Sequence, residues 1–270
     1  MKHIGNLVKK YGIKPTIHIL YLLPVALLSI GIVVMGFSMF RNVAGERNYY
    51  YAGMGVLLVL IVILLAARAA ALPQYYFELY EKGIKIVYRK EKVADEIFTF
   101  EEISEIWNLS ADGIHTQYFV FLPVGGDYKT VSSKYSNYRH LVKSFTAHYL
   151  KEIAPKKSLA LTGGERLIFQ ALPDGGENVV QSEKAVVPYL KDVQKAHLSL
   201  DRFSVFDGQR TYSLADVQSA KIDTGYIVVV SVANGVLYRK SCFAVCNADL
   251  FVRLVNDTAT PKTENTETVV

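Results

Sequence analysis

Little in this 270-residue chain points to covalent or redox chemistry. It has two cysteines, Cys242 and Cys246, with three residues between them. Two cysteines cannot build the disulfide framework of a small secreted domain, and the chain fits a reducing compartment. A redox pair needs two intervening residues, and a structural zinc site needs four ligands in closer pairs. The six histidines (His3, His18, His115, His140, His148 and His197) form no HExxH or HxH pattern. The glycine pairs at 125–126, 163–164 and 175–176 lack the Lys-Ser/Thr tail of a phosphate-binding loop and read as turns. No serine sits in a GxSxG context. Glu101, Glu102 and Glu105 are the nearest thing to paired carboxylates, and they read as solvent-facing charge beside a strand. The expectation is a protein that is not an enzyme, with no cofactor and no metal.

Acidic residues are scarce at the start. Residues 1–72 hold seven Lys/Arg against one acid, Glu46, a net charge of +6. The whole chain carries +5, which leaves residues 73–270 near −1. The basic pI of about 8.9 therefore belongs to the first quarter of the chain. A nucleic-acid-binding body would be basic itself, so no nucleic acid is expected as partner.

That first quarter also holds the long apolar runs, residues 17–40 and 52–72. At 1.5 Å per helical residue, each is long enough to cross a hydrocarbon layer of about 30 Å. Tyr49, Tyr50 and Tyr51 precede the second run and Tyr75 and Tyr76 follow it, as in an aromatic interface belt. Arg68 lies near its end, where its stem lets the charge reach the headgroups. A short loop forces an antiparallel pair with both termini on one side. The N-terminal flank has four lysines and the loop two arginines, so the positive-inside rule predicts cytoplasmic termini. The first run is too long for a signal-peptide core. The chain is thus expected in the cell (inner) membrane as a two-span protein that contacts membrane lipids through this hairpin.

Beyond residue 73 the period changes to two. Phe77 and Leu79 alternate with Glu78 and Tyr80, Gly83 punctuates, and Ile84, Ile86 and Tyr88 resume. Further strands are expected around 98–103, 116–122 and 129–132. A helical stripe then runs through Leu141, Val142, Phe145, His148 and Tyr149 and ends near Ile153, with Ser136 or Asn137 as cap. The order returns later. Residues 198–206 mirror the first hairpin, Tyr212 to Val217 follows Phe98 to Ile103 position by position, and Asn234-Gly235 turns a clear hairpin. A short helix from Asn247 to Val255 closes it, with Asn247 matching Asn137. This is the signature of a tandem repeat. The fold class expected is α+β: a transmembrane helical hairpin, then two β-rich units each closed by a C-terminal helix. The boundaries are a basic flank at 1–16, the hairpin at 17–72, unit 1 at 73–153, a connecting segment at 154–196, unit 2 at 197–257 and a disordered tail at 258–270. Within the connecting segment, residues 159–161 and 166–172 are candidate extra strands of unit 2, and 186–193 is weakly amphipathic.

Two phrases carry a resemblance: Leu79-Tyr80-Glu81-Lys82-Gly83-Ile84, and Phe100-Glu101-Glu102-Ile103-Ser104-Glu105-Ile106. They resemble bacterial pleckstrin-homology-like (PH-like) membrane proteins, some of which place a two-helix membrane hairpin directly before the PH-like domain. The resemblance covers residues 75–153 and, more loosely, 197–256. It departs from the pattern at Arg202-Phe203, where Gly-Ile is expected. It implies two tandem PH-like units.

The functional expectation is a membrane-anchored, non-enzymatic scaffold that presents both units to a protein partner, in a homo-oligomer or a larger membrane complex. The alternative is a module that senses anionic lipid or another ligand. PH-like folds bind phosphorylated headgroups between their first strands, which implies Lys85, Arg89, Lys90 and Lys92 as the lipid site. An enzyme of unfamiliar type is the third reading. The tail ends Thr268-Val269-Val270, a Ser/Thr-x-apolar carboxylate end of the kind captured by strand addition, and is a candidate partner-binding motif.

Overall fold

A computed structural model describes residues 2–41, 47–90, 92–110, 115–173 and 182–259. The chain begins with strand β1 (Leu7–Tyr11), followed by helices α1 (Pro15–Arg41) and α2 (Arg47–Ala71). Strands β2 (Tyr75–Tyr80), β3 (Gly83–Tyr88), β4 (Glu96–Thr99), β5 (Ile103–Leu109), β6 (Tyr118–Pro123) and β7 (Lys129–Ser132) lead to helix α3 (Tyr138–Thr162). The second half runs β8 (Leu167–Ala171), α4 (Glu183–Asp192), β9 (Ala196–Leu200), β10 (Ser204–Phe206) and β11 (Thr211–Ser213). It ends with β12 (Val217–Asp223), β13 (Tyr226–Ser231), β14 (Val236–Ser241) and α5 (Ala248–Ala259).

The helices α1 and α2 are each long and apolar enough to cross a membrane, and neither has a buried residue. The strands form four antiparallel sheets, ordered β1-β2-β3-β4, β5-β6-β7, β11-β10-β9-β8 and β12-β13-β14. The class is α+β, a helical hairpin with β-rich units.

The first sheet changes the expected layout. Residues 1–16 are not merely a basic flank. Leu7–Tyr11 pairs antiparallel with β2, with Tyr11 opposite Phe77 and Lys10 opposite Glu78. The apolar hairpin is therefore an insertion between the first two strands of one sheet. The strand hides well in sequence, because only Tyr11 of its five residues is buried.

The second half repeats this arrangement. Residues 166–172 do supply a strand, β8, which pairs with β9. Between them lies α4, in the place that α1 and α2 hold in the first half. The backbone bonds that end the two first strands correspond residue for residue. Ser136 N donates to Gly12 O and Lys14 N to Lys134 O, around an isolated bridge between Ile13 and Tyr135. Cys246 N donates to Gln170 O and Leu172 N to Ala244 O, around a bridge between Ala171 and Val245. Asn137 and Asn247 then both take φ 54°, the left-handed region that asparagine tolerates better than most residues. Their carbonyls accept the first helical bonds, from Leu141 N and Phe251 N. Asn137 caps α3 through its backbone, with no side-chain cap bond.

Helix α3 is longer than its stripe predicts and runs through Pro155 to Thr162. Residues 159–161 are helical, not a strand. Burial of Ile153, Ala154 and Leu161 outweighs the amide bond that Pro155 cannot make.

One continuous core joins both halves. Phe77, Phe100, Phe119, Phe121, Phe145 and Tyr149 fill the first, and Phe169, Tyr238 and Phe251 the second. Edge-to-face contacts such as Phe100–Phe145 at 5.2 Å and Phe169–Phe251 at 5.3 Å order them. Helices α3 and α5 touch, and Asn247 N donates to Ile106 O at 2.8 Å. A second core lies on the other face of β5-β6-β7, where Trp107, Leu109 and Val120 meet Val186 and Leu190 of α4. Helix α4 thus roofs the first half's sheet although the second half's strands flank it in sequence.

Candidate functional site

The end of the body where α1 and α2 leave is built from several chain segments. Here Tyr11 is fully buried, and its hydroxyl meets His140 Nδ1 at 2.8 Å. Ser136 Oγ donates to Gly12 O at 3.1 Å. On the α2 side, Tyr135 Oη donates to Tyr75 O at 3.1 Å, and Tyr75 Oη to Thr130 O at 3.2 Å. Burial holds both phenols neutral, pushing the Tyr75 hydroxyl up to about 12 and Tyr135 higher still. The two apolar helices thus leave from backbone that the sheet and the start of α3 hold on both sides. Across the hairpin, Arg68 Nη2 meets His18 Nδ1 at 3.1 Å, which joins the last turn of α2 to the first turns of α1.

Lys14 N donates to Lys134 O just before α1, and the Lys134 ammonium is ion-paired with Glu183 at 2.8 Å. Of the predicted lipid-binding set, Lys85 is ion-paired with Asp95 at 2.8 Å. That pairing raises the Lys85 ammonium and lowers the Asp95 carboxyl from their ordinary values. Arg89 Nη1 reaches Pro73 O at 3.4 Å, beside the end of α2. Lys90 and Lys92 are exposed and form no ion pair among the described residues. Among the described residues Lys85 is thus taken up by an ion pair, while Arg89, Lys90 and Lys92 are exposed. Thr268, Val269 and Val270 lie outside the described residues.

A polar cluster that sequence reasoning missed sits at the junction of the two halves. Glu105 Oε2 accepts from Trp107 Nε1 at 2.8 Å, Tyr128 Oη at 2.7 Å and Lys195 Nζ at 3.3 Å. Lys195 also donates to Tyr128 Oη at 3.0 Å and lies over the Trp107 ring, 5.3 Å from its centroid. The Glu105 and Lys195 side chains are only 12% and 15% exposed, so this is a nearly buried pair and not surface charge. Burial, and then the bond to Glu105, push the Tyr128 phenol far above its ordinary value. Lys195 follows α4, so the cluster pins that helix onto the first half's sheet. The signal in the sequence was the run Tyr118-Phe119-Val120-Phe121, apolar on both faces, which marks a strand covered on both sides.

Cys242 and Cys246 are both buried, and neither is in a disulfide. Burial, and then the nearby Glu105 carboxylate, push the Cys246 thiol far up, so it stays protonated. No group of three His, Cys, Asp or Glu able to hold a metal ion occurs among the described residues. No family model, curated protein or solved structure matches the chain.

Proposed function

We propose that this protein is a membrane-anchored, non-enzymatic scaffold. Its body is two PH-like units that arose by duplication and are held against the cytoplasmic face by the inserted hairpin. The observation that carries the reading is where the hairpin enters. A flexible tether attached at one end would leave the body free to tumble. Here the chain enters and leaves the hairpin from adjacent strands, β1 and β2, of one sheet. The body is thereby fixed in orientation as well as in place, which is what a surface for a membrane-bound partner or a second copy requires. The duplication reading rests on the matching bridges, the two αL asparagines and the matched insertions. Permanent anchoring also removes any need for headgroup affinity as a recruitment signal.

The test is the composition of the complex in native membranes. Cells bearing the tagged full chain are treated with a short amine-reactive cross-linker, solubilised in mild detergent and sized. The expected result is a discrete species holding a second chain, or a second copy, in fixed ratio. A lone monomer at every cross-linker concentration overturns the proposal.

A further inference from the structure

A cleft of about 610 Å³ opens between the two halves, within the usual size of a small-molecule site. It runs beside α3 from Tyr138 to Leu150, about 18 Å at the helical rise. Asn108, His115 and Thr116, the β12–β13 turn and the start of α5 line it as well. Val142, Leu150, Ile222 and Phe243 give it an apolar wall. Arg139 and Lys143, one helical turn apart on α3 with Val142 between them in sequence, are exposed and form no ion pair among the described residues. Two buried polar atoms of lining residues have no hydrogen-bond partner among the described residues: the Tyr138 hydroxyl and Asn108 Oδ1. Tyr138 is only 6% exposed. A buried hydroxyl left without a partner costs stability, and a ligand atom would satisfy it.

We propose that this cleft binds a small amphipathic anion, a phosphate or carboxylate on an apolar chain, with its head at Tyr138, Arg139 and Lys143. The unpaired cations disfavour a cationic ligand, and a bare inorganic anion would leave the apolar wall uncovered. The Tyr138 hydroxyl donates to the anion, and a hydroxyl or amide of the ligand satisfies Asn108 Oδ1. One acid lines the cleft, Asp249 in the first turn of α5. Burial raises its carboxyl from the ordinary value. The site is independent of the scaffold reading.

The probe is octyl phosphate, titrated calorimetrically into the full chain in nanodiscs of neutral lipid, with empty nanodiscs as the blank. One saturable site per chain is expected, with inorganic phosphate and octanol each binding at least about tenfold more weakly. Arg139→Glu with Lys143→Glu is expected to weaken octyl phosphate by about tenfold or more, and Tyr138→Phe by severalfold. Thr146→Trp, at the middle of the cleft wall, is expected to abolish binding by filling the space. Should the double reversal fail to fold, Arg139→Gln with Lys143→Gln replaces it. No saturable binding above the blank overturns the proposal, as does full affinity in both the charge variant and Thr146→Trp. Anionic-lipid nanodiscs identify the source. Loss of octyl phosphate binding there shows the site filling from the bilayer, and unchanged binding shows a soluble ligand. Failure here leaves the cross-linking result untouched.

Discussion

Removing the apolar hairpin in two different ways separates anchoring from folding. Residues 73–270 contain nearly all of both β-rich units, yet they lack β1. Tyr11 is fully buried, and Ile4 is only 7% exposed. Truncating a buried aromatic costs about 3–5 kcal/mol and a buried aliphatic about 2–5. The cut also strips Lys10 from Glu78 and leaves the β2 edge unpaired, a template for aggregation. The loss is roughly 5 kcal/mol or more, against a total stability of about 5–15 for a typical domain. A second variant keeps residues 2–14 and joins Lys14 to Leu72 through five Gly/Ser residues. Helices in contact lie about 8–10 Å apart, and five extended residues reach about 16 Å. This variant is expected to be soluble and to unfold cooperatively in urea, followed by far-UV circular dichroism. The 73–270 fragment is expected to unfold at much lower urea, or to aggregate. Equal midpoints for the two would refute the view that β1 belongs to the folded unit.

Three further outcomes follow from the geometry. Glu105→Ala leaves Lys195 nearly buried without its counter-charge and the Trp107 N–H without its acceptor, and full-chain stability is expected to fall by about 3 kcal/mol in chemical denaturation. The apolar double replacement Glu105→Leu with Lys195→Met is expected to recover most of that loss. At Asn137, φ 54° makes Asn137→Gly nearly neutral, while Asn137→Val is expected to cost about 1–2 kcal/mol, read as a lower melting temperature. Bonds to Lys2, Lys85, Lys156 and Lys191 hold Glu102, Asp95, Glu152 and Asp127 below their ordinary values. Depressed carboxyls give stability that is present above their unfolded values and lost as pH falls through the folded ones. The melting temperature is therefore expected to drop progressively below about pH 4, and a flat profile down to pH 3 would contradict it.

Much of the second half was legible, because its signals are local. Asn234 at φ 62° turns the β13–β14 hairpin, as an Asn-Gly pair predicts. Phe98 to Ile103 and Tyr212 to Val217 both fold as strand, single 3-10 turn and strand, as their matched pattern implied. What escaped notice depends on partners distant in sequence. Leu7 to Tyr11 has one buried residue and is a strand only because β2, more than sixty residues on, supplies its ladder. Glu105 reads as surface charge until Lys195, ninety residues away, lies beside it.

By itself, the sequence determined the two long apolar helices, the alternating strands and the paired order of elements. Periodicity and turn chemistry act within a few residues, so a single chain records them directly. Only the tertiary structure decided that the hairpin is threaded through a sheet, that α4 roofs the other half, and that a cleft opens between the halves. Those features come from pairing and packing between distant segments, whose partners no local pattern names.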